Sequence, residues 1–178
     1  MKATRLLLAA MVLGTAVGAS QANAQCSSNT GSCNTTNTAS VTVGALVKLA
    51  MSSPATTLTA PSVTDIESAL SLDDVGPTFT IKANRSWTLK VKSQNATTFT
   101  YSGSDAGVKP ISDLSWATTS GGTYSPITAS DVTFASGVSS NSTAAAAFFR
   151  TSWAGGFSAA SNAPGTYTLP IVFTLTAP

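Results

Sequence analysis

The stretch "ASVTVGALVKLAM" sets Val41, Val43, Ala45, Val47, Leu49 and Met51 at every second position. A period of two over that length predicts a strand with one buried side. The pattern returns in "TFTIKANRSWTLKVKSQ", with Phe79 and Ile81 in one run, Trp87, Leu89 and Val91 in the next, and a turn or bulge at "ANRS" between them. It returns again in the last residues, "PGTYTLPIVFTLTAP". Tyr167, Leu169, Ile171, Phe173 and Leu175 fall on one face there, and Thr166, Thr168, Thr174 and Thr176 on the other. Other segments are more broken. "SSPATTLTAPSVTDIESALSLDDVGP" is interrupted by Pro54, Pro61 and Pro77. It reads as a short strand at 57–60 and one helical turn, with Thr64 and Glu67 at capping-box spacing.

"TTFTYSGSDAG" reads as a short strand running into a Gly-rich turn, and "ISDLSWATTSGGTYSPITASDVTFASG" as two or three short strands separated by Gly121-Gly122 and Pro126. In "TAAAAFFRTSWAGGF" four alanines favour helix, but Phe149, Thr151 and Trp153 keep strand spacing, and the segment reads as strand. Eight or nine short strands with turn residues between them predict an all-β chain, a single β-sandwich of Ig-like or related Greek-key type. No segment repeats at a fixed period and no linker interrupts 39–178, which is expected to be one domain.

The first residues do not share this pattern. Lys2 and Arg5 precede an apolar run from Leu6 to about Val17, and Ala22-Asn23-Ala24 follow. Residues 1–24 therefore read as a secretory signal of bacterial look with an A-x-A cleavage site. The run is shorter than the ~20 apolar residues of a spanning helix, and no later segment is long and apolar enough to cross a membrane. The expected location is exported: cell surface, periplasm or extracellular. Cys26 and Cys33 lie in a Ser/Asn/Gly loop at 25–38, and in an exported chain such a pair is most simply a structural disulfide. In the chain-entropy description, closing so short a loop stabilises by roughly 2–3 kcal/mol.

Without the leader the charge balance changes. The nine Lys and Arg lose Lys2 and Arg5, leaving seven against seven Asp and Glu. A neutral chain lacks the basic surplus that neutralises phosphates, which excludes a nucleic-acid binder. There is no histidine, so a Ser-His-Asp arrangement is excluded and the commonest general base is missing. The acids Asp65, Glu67, Asp73, Asp74, Asp105, Asp113 and Asp131 lie mostly in turn-like contexts, where an acid is ordinarily a turn former. "SLDDVGP" lacks the alternating oxygen ligands of a calcium loop, and neither "SGG" nor "AGGF" matches a nucleotide fingerprint. The expectation is a protein without catalysis, cofactor or metal.

Two features suggest partners. Lys82, Lys90 and Lys92 lie opposite Ile81, Leu89 and Val91, with Arg85 in the turn between. They are expected to form a basic stripe that keeps a sheet face wet or binds an anionic envelope polymer or an acidic stretch of a neighbouring copy. The second feature is "SWTLKV" with Trp87-x-Leu89, together with Tyr167, Ile171, Phe173 and Leu175 in "YTLPIVFTLTAP". This pair of stretches resembles the WxL domain of bacterial surface proteins, which carries an internal W-x-L and a terminal Y-x-x-x-L-x-W-x-L. Phe173 stands where that family has its second tryptophan, which keeps an aromatic side chain and loses the indole N–H.

The resemblance implies a β-rich module attached non-covalently to the cell wall. For the terminal strand two readings stand. In the favoured one, 166–176 is a central strand of the domain's own sandwich, with the early strand at 41–51 beside it. In the other, a strand is lent to a neighbouring subunit, as in fibres built by strand exchange, and the lent segment is the region 37–51. The sequence thus predicts a non-catalytic envelope or surface protein acting by binding or packing, with a wall polymer or copies of itself as partner. Its alternative is a fimbrial or filament subunit.

Overall fold

The computed structural model describes residues 26, 28, 29 and 31–178; the leader read at 1–24 lies outside them. The chain divides into two compact units, Met1–Thr42 and Val43–Pro178. In the first, Cys26 and Cys33 form the expected disulfide. Residues 31–46 enter no strand and are exposed throughout. The predicted strand from Val41 therefore starts only at Val47.

The second unit is built of antiparallel strands, as the alternation predicts. A five-stranded sheet has the order β1 (Val47–Met51), β2 (Ser71–Ala83), β8 (Ser140–Ser152), β5 (Leu114–Ala117), β6 (Ser125–Pro126). A three-stranded sheet has the order β10 (Ile171–Thr176), β3 (Trp87–Ser93), β7 (Val132–Gly137), and a two-stranded ribbon joins β4 (Thr100–Ser102) to β9 (Thr166–Thr168). The inner faces of the two larger sheets meet through aromatic rings. Phe79 of β2 lies 4.5 Å from Phe173 of β10 and 5.6 Å from Phe134 of β7, and Trp116 of β5 lies 5.1 Å from Phe134. Around them Ile81, Leu89, Val91, Leu114, Ala147 and Phe149 are buried in one cluster, so the alternating positions do face one sandwich core.

Several elements depart from the sequence reading, each for a local reason. Pro77 does not end a loop. It sits with Gly76 where the β2–β8 register shifts between Val75 and Thr78, so β2 continues through a bulge back to Ser71 and carries Asp73 and Asp74 on a strand rather than in a turn. A Cβ on Gly76 would lie 2.7 Å from the Phe149 ring, and the bulge needs glycine for that approach. The segment at 57–60 forms no strand. It is held by Thr59, whose backbone N–H and hydroxyl donate to the Asp74 carboxylate.

The helical turn exists as α1 (Val63–Glu67), but its cap is Ser62 paired with Asp65, not Thr64 with Glu67. Hydrogen bonds from Ser62 hold the Asp65 carboxyl below its usual range. The terminal run is not one central strand either. It breaks between Thr168 and Ile171, at Leu169-Pro170: β9 pairs with β4, and β10 is the edge of the three-stranded sheet. The early strand pairs with β2 and approaches β10 without pairing to it.

Candidate functional site: an open side of the sandwich

The basic residues do not form one stripe. Lys82 lies on β2, opposite Lys48 of β1, on the outer face of the five-stranded sheet. Lys90 and Lys92 lie on β3, on the outer face of the other layer, and Lys92 pairs with Asp131 at 3.2 Å. Arg85 is in the turn where the chain passes from one sheet to the other. The alternation correctly marked these side chains as outward, but outward from two sheets is two opposite surfaces.

The two halves of the W-x-L-like pattern are brought together. β3 and β10 are antiparallel neighbours, with Leu175 opposite Leu89 and Phe173 opposite Val91. Trp87 and Leu89 are buried in the core, whereas Ile171, Phe173 and Leu175 are half-buried. Tyr167 is on β9, where its ring meets Tyr101 and its hydroxyl donates to the Ala163 carbonyl at 2.9 Å.

That half-burial is one side of a larger feature. Val47, Leu49 and Met51 on β1 pair directly with Ala83, Ile81 and Phe79. Partners opposite one another in an antiparallel pair share a face, so these three also point into the sandwich. Yet Val47 is 44% and Met51 45% exposed, while Ile81 and Phe79 beside them are buried. β1 and β10 are therefore edge strands of the two sheets whose inward apolar rows are incompletely covered. On the opposite side Phe134 and Ile127 are buried, so the sandwich is closed there and open here.

The open side leads into a cavity of about 1100 Å³ whose wall includes Met51, Leu58, Phe149, Ile171 and Phe173. Its polar lining sits at the far end of β8. Lys109 is only 1% exposed. Its Nζ donates to the Ser152 carbonyl at 2.6 Å, pairs with Asp113 at 3.1 Å and lies 4.1 Å from the centre of the Trp153 ring. Burial pushes the lysine below its ordinary range, and the Asp113 carboxylate pulls it back toward the charged form. Beside it, Thr151 Oγ1 and Trp153 Nε1 are buried with no hydrogen-bond partner among the described residues. Sequence reasoning placed Thr151 and Trp153 on one strand face with Phe149. It missed Lys109, whose only local signal is Asp113 four residues later.

The acids that sequence reasoning considered for a metal are engaged elsewhere. Asp73 receives two hydrogen bonds from Arg150, one of them 2.8 Å from Nη2, which hold its carboxyl below the usual range. Asp74 accepts from Thr59. Among the described residues no group of three or more acids and cysteines converges on one point, and no helix is long and apolar enough to cross a membrane. No family model, curated protein or solved structure matches the chain.

Proposed function

We propose that this protein is an exported, non-catalytic β-sandwich of the cell envelope that works by packing against copies of itself. The observation that carries the reading is the stretch before β1. It alternates apolar residues like a strand and has no charge from residue 34 to residue 46. Yet it is taken up by no strand of its own chain, with Val41 87% and Val43 68% exposed. A strand-like segment with bare valines is a template for pairing with another chain. The disulfide at Cys26–Cys33 is in keeping with export to an oxidising compartment.

A second reading, wall attachment of the WxL kind, is favoured by one observation: the two halves of the motif form adjacent strands of one sheet. The experiment that separates the two is sedimentation of the oxidised protein with and without purified cell-wall sacculi. Self-packing predicts pelleting of large species without sacculi. Pelleting only in their presence would replace self-packing by wall attachment, and a supernatant in both tubes would count against both.

A further inference from the structure

The open side of the sandwich and the unpaired segment before β1 have matching dimensions and chemistry. β10 has six residues, and Ile171, Phe173 and Leu175 form its inward row. Residues 38–43 are also six, with Ala39, Val41 and Val43 on one face and Thr38, Ser40 and Thr42 on the other. At ~3.3 Å per residue both span about 20 Å. The inward side chains of the segment are small, which suits the partly covered apolar row of β10. Neither the segment nor the two inward rows carries a charge.

Among the described residues β10 pairs only with β3, so its other edge has no ladder partner there and can extend the ladder. Gly44 and Leu46 are held to the turn after β2. Asn84 there receives a hydrogen bond from the Leu46 N–H and donates one to the Gly44 carbonyl.

We propose that residues 38–43 of a second copy add as a strand to the free edge of β10, at the mouth of the cavity lined by Met51, Ile171 and Phe173. Val41 and Val43 of the incoming strand complete the core over Met51, Ile171 and Phe173. The proposal rests on the self-packing reading above and names the surface and the segment that reading requires.

The segment and its slot at the β10 edge are different parts of the molecule. The contact is therefore heterologous, and it propagates into an open chain of subunits unless the rotation between neighbours closes it into a ring or a reciprocal dimer.

The test uses the full chain and two kinds of variant. Val41→Asp with Val43→Asp disables the segment and leaves the slot intact. Ile171→Asp disables the slot and leaves the segment intact, and Met51→Asp on the facing edge serves the same purpose should the first variant fail to fold. Each protein is refolded from denaturant at high concentration, alone and in pairs, and sized by sedimentation velocity. Wild type is expected to form a series of multimers, and each variant alone to lose assembly at least tenfold. An equimolar mixture of segment and slot variants is expected to stop at the dimer. If the Val41/Val43 variant assembles like wild type, the segment is not the occupant, although self-packing stands. If both slot variants assemble like wild type, the surface is wrong. A wild type that stays monomeric at every concentration overturns this proposal and the self-packing reading together.

Discussion

Leu89 and Leu175 stand opposite each other in the β3–β10 pair, which makes them a matched probe of the open side. Leu89 is fully buried between the sheets, and Leu175 is half-buried on the edge. Truncating a buried leucine to alanine loses its transfer free energy and leaves a cavity, about 2–5 kcal/mol in well-packed cores. Leu89→Ala is expected toward the middle of that range, about 3–4 kcal/mol. Leu175 is only partly buried in the free subunit, and part of the space its truncation leaves is at the sheet edge. Leu175→Ala should therefore cost about 2 kcal/mol, the low end of the range, because most of the transfer value is lost but little cavity cost is added.

The assay is urea unfolding of dilute protein, followed by tryptophan fluorescence, since Trp87, Trp116 and Trp153 are all buried. The shift in midpoint multiplied by a common slope gives the two costs. Equal costs at the two positions, or a greater cost at Leu175, would refute the claim that this edge is uncovered in the subunit. In assembled material the gap is expected to narrow, because an added strand buries Leu175 and leaves Leu89 unchanged.

Other consequences follow from particular contacts. Gly137 faces Trp87, and a Cβ there would lie 2.6 Å from the indole. Gly137→Ala is expected to destabilise by about 1–3 kcal/mol through overpacking of a buried ring, read in the same urea assay. Lys109→Ala leaves the Ser152 carbonyl and the Asp113 carboxylate without their buried partner, with an expected loss of about 3 kcal/mol. Lys109→Met should lose less by keeping the packing against Trp153, and a cost for Met as large as for Ala would count against that. The Arg150–Asp73 pair depresses the acid in the folded state. Its contribution is therefore present above the unfolded carboxyl value near pH 4 and is lost as pH falls through the lower folded value. Because both partners are more than a third exposed, Asp73→Asn should cost under about 1 kcal/mol at pH 7 and progressively less as the pH is lowered through the folded value.

The alternation of apolar residues was enough to show an all-β sandwich and most of its inner face, because period two reports which side of a strand is buried. It does not report which sheet the strand joins. The chain changes sheets at 84–86, between β2 and β3, and that single crossing separated Lys82 from Lys90 and Lys92. Nor does alternation report whether a partner strand is present. Val41 and Val43 carry the same pattern as Leu49 and Met51, but hydrogen bonds from β2 reach only the latter pair. At Leu169-Pro170 the pattern ran straight through a residue with no N–H to donate, where the chain leaves the β4 ribbon for the edge of another sheet.

The open side itself was not legible. It arises because two strands remote in sequence both lie at sheet edges, and no local pattern encodes that. Thr151 and Trp153 were placed on the correct face, but that their polar atoms lack partners depends on the cavity wall, which is assembled from distant segments.

The most direct measurement is amide hydrogen exchange on dilute and concentrated protein compared residue by residue. The account predicts that concentration brings protection together at two separated places, residues 38–43 and the β10 edge at 171–176, while β7 at the closed side is unaffected. Protection gained at β7 or β6, or none gained at 38–43, would contradict it.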